Sequence, residues 1–487
     1  MGPYDEAMAS ATLNLVTHDD AQPASPAVHL EDRTTLTYGE LTELVGESER
    51  ALRHDGKALV LCAGDRDLPT LLAYLAALRL GHTVAFLPAS TEILSAYEPE
   101  FVVPAPGRGA GLADLGYGPA AESIAGTTIF QRKTSQPAGE IYINTALLVT
   151  TSGSTGSPKT VRLSFSGLAG NTAAVIRALG ITAAERAPTT LPIRHVYGLS
   201  VLNTHLLAGA GVVLGDRSPL SLATWDHLIR SGATSFAAVP TTYAAFGPAH
   251  VNLLGRSKIR TMTQAGARLG DDLTMRLAGM MNQRDGRFFV MYGQTEASSR
   301  ISRLDPADLP RRLGSVGTAI PGGTITIRPA PVHARAVPGE GTVHYRGPGV
   351  MLGYATGRAD LCRGAEVDDL DTGDLGYLRE GYLYLTGRTK RIVKVLGVRV
   401  SLDDLERMVE RPGHPAAVTC GTDDVVHLVG AGEVAVHEQQ RRQLVELLGV
   451  PSQHVVFRHI DRLPRTPGGK IDYRTLATVI DSRGGLD

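Results

Sequence analysis

Residues Thr151-Ser-Gly-Ser-Thr-Gly-Ser-Pro-Lys159 follow directly on the apolar run at 146–150. The run predicts a buried strand, and the loop after it combines two glycines, several hydroxyls and one lysine. Glycines let backbone amides surround an anion, hydroxyls add donors and the lysine supplies a point charge, so the sequence predicts a phosphate-binding loop. The spacing of a Walker A loop is absent. An ordinary turn is the alternative interpretation of this stretch taken alone.

The chain on both sides of this loop alternates between strand-like and helix-like segments. Apolar runs at 59–62, 83–87, 211–214, 235–239 and 288–291 are separated by segments with helical apolar spacing. Such alternation predicts an α/β fold with a largely parallel sheet covered by helices. Residues 104–139 are rich in Gly, Ala and Pro, and we expect loops with weak structure there.

The sequence pattern changes after Gly322. Short alternating strands with glycine-rich turns, as at 341–345 and 381–385, predict a small antiparallel or barrel-like subdomain over residues 322–387. The remaining residues, 389–487, have an α+β pattern. We therefore predict a large domain over 1–388 and a small C-terminal domain over 389–487.

Composition excludes several classes of protein. A chain of 487 residues is too long for one core, and its net charge of −1 gives no electrostatic reason to expect nucleic acid or a membrane as partner. No apolar stretch reaches the ~18 residues that span a bilayer. The three cysteines fit no metal-ligand spacing, and the N-terminus does not resemble a secretory signal. We expect a cytoplasmic protein.

Three further segments carry residues suited to nucleotides and divalent cations. Thr295-Glu296 offers a hydroxyl to phosphate and a hard oxygen to Mg²⁺, although a helix N-cap is the simpler interpretation. Asp374 and Arg388 suit ribose hydroxyls and phosphate oxygens, with a surface ion pair as the alternative. Lys470 follows a glycine-rich turn near the C-terminus, which by itself would be a hairpin loop.

Together and in order, these segments resemble the AMP-forming adenylating superfamily of acyl- and aryl-CoA ligases, peptide-synthetase adenylation domains and luciferases. The resemblance extends from Thr37-Tyr-Gly-Glu-Leu41 to Lys470. It implies activation of an acid with ATP and Mg²⁺ to an acyl-adenylate, release of pyrophosphate, and transfer to CoA or another nucleophile. It also implies that residues 1–388 bind ATP and the acid through stacked mixed sheets and helices, and that residues 389–487 form a mobile lid.

The resemblance assigns a role to individual residues. Those implied to hold ATP are Thr151, Ser152, Gly153, Ser154, Thr155, Gly156, Lys159, Gly266, Ala267, Tyr292, Gly293, Asp374 and Arg388. Those implied to act in catalysis are Lys470, which bridges the acid and the α-phosphate, Thr295, the Mg²⁺ ligand Glu296, and Lys394. Lys394 and Gly397 lie on the loop implied to enter the site for the second half-reaction, and Lys390 is at the hinge position. Thr160 departs from the family pattern, which usually has glycine there.

Five residues are candidates for the acid pocket: His195, Tyr197, Thr241, Gln264 and Gly293. His195 could instead cap a helix. No Asp occurs in these segments to pair with an amino-acid ammonium, which favours a plain carboxylic acid, aliphatic or aromatic.

The acceptor and the acid stay open at this point. CoA, an amine or a carrier protein could accept the acyl group, and a stand-alone enzyme that loads a carrier protein is the main alternative. Activation of nitrite, to diazotise an aryl amine, would leave the nucleotide motifs unchanged. A nucleotide-binding sensor without catalysis is disfavoured by the presence of Lys470 and Glu296.

Overall fold

The computed structural model describes residues 13–16, 22–134, 139–150, 160–330, 337–396, 398–411, 413–420, 425–448, 450–466 and 470–483. Within these ranges the chain folds into twenty-six strands and twelve α-helices, arranged as six sheets with helices packed against them. The predicted α/β class is confirmed.

The strands, numbered along the chain, are β1 (Pro26–His29), β2 (Thr35–Thr37), β3 (Leu59–Cys62), β4 (Thr83–Phe86), β5 (Phe101–Val103), β6 (Tyr117–Ile124), β7 (Thr127–Arg132), β8 (Thr145–Thr150), β9 (Thr160–Ser164), β10 (Arg186–Pro188), β11 (Gly211–Val213), β12 (Ser235–Ala238), β13 (Thr261–Gln264), β14 (Arg287–Tyr292), β15 (Ser302–Leu304), β16 (Thr318–Ala319), β17 (Thr324–Pro329), β18 (Gly341–Arg346), β19 (Gly353–Ala355), β20 (Leu370–Arg379), β21 (Tyr382–Arg388), β22 (Ile392–Val395), β23 (Val398–Ser401), β24 (Ala416–Cys420), β25 (Val426–Gly430) and β26 (Val455–His459).

The helices are α1 (Tyr38–Ala51), α2 (Leu68–Arg79), α3 (Thr91–Tyr97), α4 (Phe165–Leu179), α5 (Val196–Leu207), α6 (Leu222–Arg230), α7 (Pro240–Ala244), α8 (Pro248–Arg256), α9 (Asp271–Asn282), α10 (Leu402–Val409), α11 (Val434–Leu448) and α12 (Tyr473–Arg483). Short 3₁₀ turns occur at Ala113–Leu115, Thr295–Ala297, Arg358–Cys362, Thr389–Arg391 and Ser452–His454.

The largest sheet has eight strands in the order β19-β9-β8-β4-β3-β5-β7-β6. Its centre is parallel, because β3 pairs with β4 and β5 and β4 pairs with β8 in parallel register. These central strands are buried on both faces, as their continuous apolar runs predict. Helix α2 covers them and is buried along most of its length, since nearly all its residues are apolar; Asp67 caps it by accepting a hydrogen bond from the Thr70 amide.

The expectation of weak structure over residues 104–139 is wrong for its second half. Strands β6 and β7 form an antiparallel hairpin at one edge of the eight-stranded sheet. Most of β6 faces solvent, so its sequence Tyr-Gly-Pro-Ala-Ala-Glu-Ser-Ile lacks the apolar character that marks the buried strands. An exposed edge strand requires little apolar side-chain area, which is why composition did not reveal it.

The opposite edge of this sheet is closed by a strand from far along the chain. Strand β19 pairs antiparallel with β9, so Ala355 lies opposite Thr160. The Thr160 hydroxyl donates to the Ala355 carbonyl at 2.8 Å and lies 2.5 Å from the Tyr97 hydroxyl. Arg162, fully buried, is paired with Glu366 at 2.5 Å and donates to the carbonyl of Arg363. Residues after 352 therefore fix the strand that begins directly after the 151–159 loop.

A second sheet of five strands runs β12-β13-β14-β15-β16. Strands β12, β13 and β14 are parallel and in register, with Ala238, Gln264 and Val290 side by side. A separate sheet, β17-β18-β20-β21, is antiparallel throughout and spans residues 324–388, close to the predicted subdomain. A fourth sheet, β10-β11-β1-β2, completes this part of the chain.

Residues after 388 form the β22-β23 hairpin, the sheet β24-β25-β26 and helices α10 to α12. Their core is separate, built on residues such as Val395, Leu405, Leu428 and Leu444. The proposed division of the chain at 388–389 falls at the start of the 3₁₀ turn Thr389–Arg391, and it stays a prediction. Among the described helices, none combines the length and the apolar character that crossing a bilayer requires.

Candidate functional site

The carboxyl edge of the parallel strands β12 to β14 brings together several of the predicted site residues that the structure describes. Gln264 ends β13, Tyr292 ends β14, and α7, which contains Thr241, begins two residues after β12. Because parallel strands end at the same edge of a sheet, segments distant in sequence meet there. Gln264 is buried and its side-chain amide donates to the Ala267 carbonyl at 2.6 Å. This bond closes the turn through Gly266, whose φ of +96° suits glycine.

A buried carboxylate joins this edge to the antiparallel sheet. Tyr292 donates to Asp374 Oδ2 at 2.6 Å, and Arg388 Nε lies 2.9 Å from Asp374 Oδ1. Asp374 and Arg388 face each other across β20 and β21, which explains why two residues fourteen apart meet. Asp374 is 5% exposed, whereas about half of the Arg388 side chain faces solvent, so the pair joins a buried carboxylate to an exposed guanidinium. The Asp374 charge raises the pKa of Arg388, and burial raises that of Tyr292 well above its usual value.

The lone pairs of Asp374 show what this carboxylate can still bind. A carboxylate has about four acceptor sites, and Tyr292 and Arg388 use one on each oxygen. The remaining acceptor sites suit a pair of vicinal hydroxyls. Asp374 is therefore held rigidly from one side and keeps acceptor capacity for a ribose.

Thr295 and Glu296 lie on a tightly closed turn. The Ile301 amide donates to the Tyr292 carbonyl at 2.8 Å, and a Cβ on Gly293 would lie 1.6 Å from the Ser299 carbonyl oxygen, so only glycine fits. Thr295 begins a single 3₁₀ turn, and the helix-cap interpretation of this residue is wrong. Glu296 Oε1 accepts a hydrogen bond from the Tyr354 hydroxyl at 3.0 Å, which fixes the carboxylate at the rim of the site.

Lys470 reaches the same place from the C-terminal part of the chain. Its carbonyl accepts a hydrogen bond of 2.8 Å from the Thr466 amide. Burial and the charge of Arg388 lower the pKa of Lys470, whereas the nearby carboxylates of Asp374 and Glu296 act in the opposite direction. Lys470 is thus within electrostatic reach of three of the residues predicted to surround ATP.

A network of charged and aromatic side chains positions the Lys470 turn. Arg391, next to the predicted hinge residue, binds Asp403 at 2.5 Å and Glu406 at 2.8 Å. Its guanidinium lies 3.8 Å from the ring centroid of Tyr473, and the Tyr473 hydroxyl donates to Glu406 at 2.8 Å. Tyr473 is only three residues from Lys470, so this network connects the start of the C-terminal part to its lysine.

Two candidates for the acid pocket, Tyr197 and Gln264, meet at strand β13. Tyr197 and Thr263 are joined through their hydroxyls at 2.9 Å, and burial raises the pKa of Tyr197 to about 12. His195 precedes α5 at the cap position but makes no capping hydrogen bond, and its buried Nε2 has no partner among the described residues. His195 thus occupies the N-cap position of α5 through its backbone, and its role in the acid pocket stays a prediction. Thr241 is partly buried in α7.

Two residues at this site were missed by sequence reasoning. Tyr354, which holds Glu296, arrives on β19, and no local pattern connects these positions. Arg300 is 2% exposed directly after the Thr295 turn. Arginine is normally a surface residue, so the sequence alone does not indicate that Arg300 is buried.

Some predicted residues lie outside the described part of the chain. They are Thr151, Ser152, Gly153, Ser154, Thr155, Gly156, Lys159 and Gly397. The backbone of Lys394 lies in β22, opposite Arg399, and Lys390 is exposed in the 3₁₀ turn Thr389–Arg391. The roles assigned to these residues stay predictions.

Known proteins match both the sequence and the fold. A family model of AMP-binding enzymes matches residues 119–355. Sulfoacetate–CoA ligase of Cupriavidus necator is 31% identical over 355 residues, covering 67% of this chain and 65% of the relative. Indoleacetate–CoA ligase of Aromatoleum aromaticum is 28% identical over 497 residues, covering 93% and 95%. 2-Succinylbenzoate–CoA ligase of Bacillus subtilis is 30% identical over 343 residues, covering 67% of each chain.

Two more matches extend the comparison. The non-ribosomal peptide synthetase CmlP of Streptomyces venezuelae is 30% identical over 354 residues, which are 35% of that protein. The o-succinylbenzoate CoA synthetase of Bacillus subtilis with its acyl-adenylate has a TM-score of 0.70 at 24% identity, covering 93% of this chain and 96% of that chain. Its complex with ATP and magnesium has a TM-score of 0.68.

Fold and relatives together define a class, that of ATP-using acid ligases with a large and a small domain. The chain belongs to the AMP-forming adenylating superfamily, in agreement with the resemblance seen in its motifs. It is an enzyme of the acyl-CoA synthetase type.

Proposed function

We propose that this enzyme joins an acid to AMP at the expense of ATP, releasing pyrophosphate, and then transfers the acyl group to CoA or another nucleophile. The observation that carries the proposal is the position of Lys470, within electrostatic reach of Asp374, Arg388 and Glu296. An ammonium group that interacts with both Asp374 and Glu296 can offset the charge repulsion between the α-phosphate of ATP and the acid.

The residues present fit ATP and Mg²⁺. Asp374 keeps acceptor sites for two ribose hydroxyls, and Tyr292 presents a buried ring beside it. Glu296 offers a carboxylate, while the described residues contain no cluster of three or more His, Cys, Asp or Glu that could hold a metal alone. Mg²⁺ commonly binds through one or two carboxylates together with substrate phosphates, so this donor set suits it. Bound there, the ion would neutralise phosphate charge.

The chain's own residues then supply the chemistry. A carboxylate and a triphosphate repel each other, and the Lys470 ammonium offsets this repulsion at the point of attack. Thr295 offers a hydroxyl to phosphate, and Asp374 with Tyr292 and Arg388 fixes the nucleoside so that the α-phosphorus faces the acid. The loop 151–159 would hold the departing pyrophosphate.

Substitution of Lys470 tests the proposal. Lys470→Ala should lower acid-dependent pyrophosphate release by ~10²- to 10³-fold, the usual cost of removing a preorganised charge. The matched control is Arg462→Ala, which removes an exposed positive charge from the same part of the chain and should leave the rate unchanged. Near-native release by Lys470→Ala would refute the assignment, provided that its melting temperature equals that of the control.

The acid and the acceptor require a separate experiment. The relatives are named for three different acids, which supports an organic acid as the class but not one compound. The match to a peptide synthetase supports a carrier protein as the second candidate acceptor. ATP–pyrophosphate exchange with aliphatic, aromatic and amino acids, and with nitrite, should identify the acid. Adding CoA, a pantetheine-bearing carrier protein or, for nitrite, an aryl amine then identifies the acceptor. Exchange with nitrite alone would refute activation of a carboxylic acid.

A further inference from the structure

Arg300 is a buried cation behind the Thr295 turn. Its side chain is 2% exposed, and its Cα would lie 2.8 Å from a Cβ placed on Gly293. Ser298 and Ser299 precede it with φ values of +53° and +118°, a conformation that costs energy for non-glycine residues. The Asn171 side-chain amide donates to the Arg300 carbonyl at 2.9 Å. The backbone is thus fixed in a strained path that turns Arg300 inwards.

The guanidinium of Arg300 has few polar partners among the described residues. Its carbon lies 4.6 Å from the ring centroid of Tyr197, and Nη1 lies 3.3 Å from the Ser299 hydroxyl. Its Nε is buried and has no hydrogen-bond partner among the described residues. Within the described ranges no Asp or Glu forms an ion pair with it, whereas the buried Arg162 and Arg358 each have a carboxylate.

Burial without a counter-charge is unfavourable for a guanidinium, and the pKa of Arg300 is lowered to about 10, chiefly by desolvation. Cation–π contact with Tyr197 compensates only in part. The described residues provide no counter-charge, and an anionic group on a ligand would supply one.

The location of Arg300 indicates which ligand carries that anion. The guanidinium lies against the ring of Tyr197, itself a candidate for the acid pocket, and Tyr197 is hydrogen-bonded to Thr263 in β13. The groups suited to ATP, Asp374 and Glu296, are held by other residues, Tyr292 and Tyr354. Arg300 therefore contacts a candidate acid-pocket residue and neither of the two groups suited to ATP.

We propose that Arg300 is a specificity-determining residue that binds a second anionic group, carboxylate or sulfonate, on the acid that the enzyme activates. This inference rests on the proposed adenylation and refines its substrate class from a plain carboxylic acid to an acid with two anionic groups. One group is activated, and the other pairs with the Arg300 guanidinium, whose planar fork suits such oxyanions.

The test compares acids in matched pairs by ATP–pyrophosphate exchange: butyrate with succinate, benzoate with isophthalate, and acetate with sulfoacetate. Arg300→Met removes the guanidinium and keeps an unbranched apolar side chain in its place, and Arg300→Lys keeps the charge. Arg303→Met is the control, because Arg303, three residues after Arg300, already has a carboxylate partner in Asp305. Melting temperatures establish that each variant is folded.

For at least one pair, the native enzyme should prefer the dianion in kcat/KM. Arg300→Met should lose this preference by about 30-fold or more, as expected when one partner of a buried charge pair is removed. The preference of Arg300→Lys for the dianion should lie between those of the native enzyme and Arg300→Met, and the preference of Arg303→Met should equal that of the native enzyme. An unchanged preference in Arg300→Met, or a native preference for monoacids, would overturn the inference while the adenylation proposal stands.

A binding measurement separates this inference from the function on which it rests. Isothermal titration of succinate, isophthalate and sulfoacetate into the enzyme with a non-hydrolysable ATP analogue needs no turnover. If no acid supports exchange, the adenylation proposal fails. Binding of one dianion to the native enzyme but not to Arg300→Met would then still support the role of Arg300, and absence of such binding would overturn it.

Discussion

The hydrogen bond between Tyr292 and Asp374 allows a quantitative prediction about nucleotide binding. Tyr292→Phe removes one hydroxyl and leaves the ring and the Arg388 contact in place. The bond is 2.6 Å long and joins two groups that are 8% and 5% exposed. Hydrogen bonds to charged groups contribute about 1.5–3 kcal/mol. Because Arg388 still holds the other oxygen, we expect a loss near the lower end, about 1.5 kcal/mol.

This loss should appear in ATP binding, because Asp374 would no longer be held in the orientation that faces the ribose. A cost of about 1.4 kcal/mol corresponds to tenfold, so KM for ATP in pyrophosphate exchange should rise about tenfold. KM for the acid should not change. The matched control is Tyr345→Phe, since Tyr345 is also buried but its hydroxyl makes only a long contact, 3.4 Å, to the Pro348 carbonyl. Equal KM values for ATP in the two variants would show that the Tyr292 hydroxyl does not position Asp374.

Three further predictions concern other parts of the site. Because the pKa of Lys470 is lowered, the Lys470 ammonium loses its charge at a lower pH than an ordinary lysine, and ATP–pyrophosphate exchange should decline at alkaline pH. Lys470→Arg keeps the positive charge at that pH and should remove the decline. The same pH profile in the native enzyme and in Lys470→Arg would contradict this prediction. Tyr473→Phe removes the hydrogen bonds to Glu406 and keeps the aromatic ring, so it should lower kcat for exchange about 3- to 10-fold and leave KM for ATP unchanged. A change in KM for ATP alone would contradict the role of Tyr473 in positioning Lys470. Thr160→Gly loses the hydrogen bond from the hydroxyl to the Ala355 carbonyl and should lower the melting temperature and raise KM for ATP. Thr160→Ser keeps a hydroxyl and should change neither quantity. Equal melting temperatures and KM values in the two variants would refute the role of the hydroxyl.

The sequence was most informative where burial is complete. Strands such as β3, β4 and β8 are continuous apolar runs because both of their faces are covered, and their positions are confirmed. The hairpin β6–β7 was missed because an edge strand exposes most of its side chains. The pattern of apolar residues indicates which strands are buried, but it does not indicate which exposed segments form the hydrogen bonds of an edge strand.

The same distinction applies to the site. Asp374 and Arg388 could be predicted as partners because a single hairpin separates them. Arg300 and Tyr354 could not, since their roles depend on Tyr197 and Glu296, which come from other elements of the fold. Two residues that meet only in the tertiary structure have no characteristic spacing in the sequence, so the sequence alone does not predict their contact.

The pairing of β19 with β9 has a consequence for synthesis on the ribosome. The fully buried Arg162 takes its carboxylate and carbonyl partners from residues 354–366, and Thr160 takes one from Ala355. A nascent chain that ends before these residues has a complete 151–159 loop in sequence, yet β9 is an unprotected edge with an unpaired guanidinium beside it. Folding of the first strands cannot be completed until some two hundred more residues have emerged, so fragments shortened before residue 366 should aggregate or be degraded.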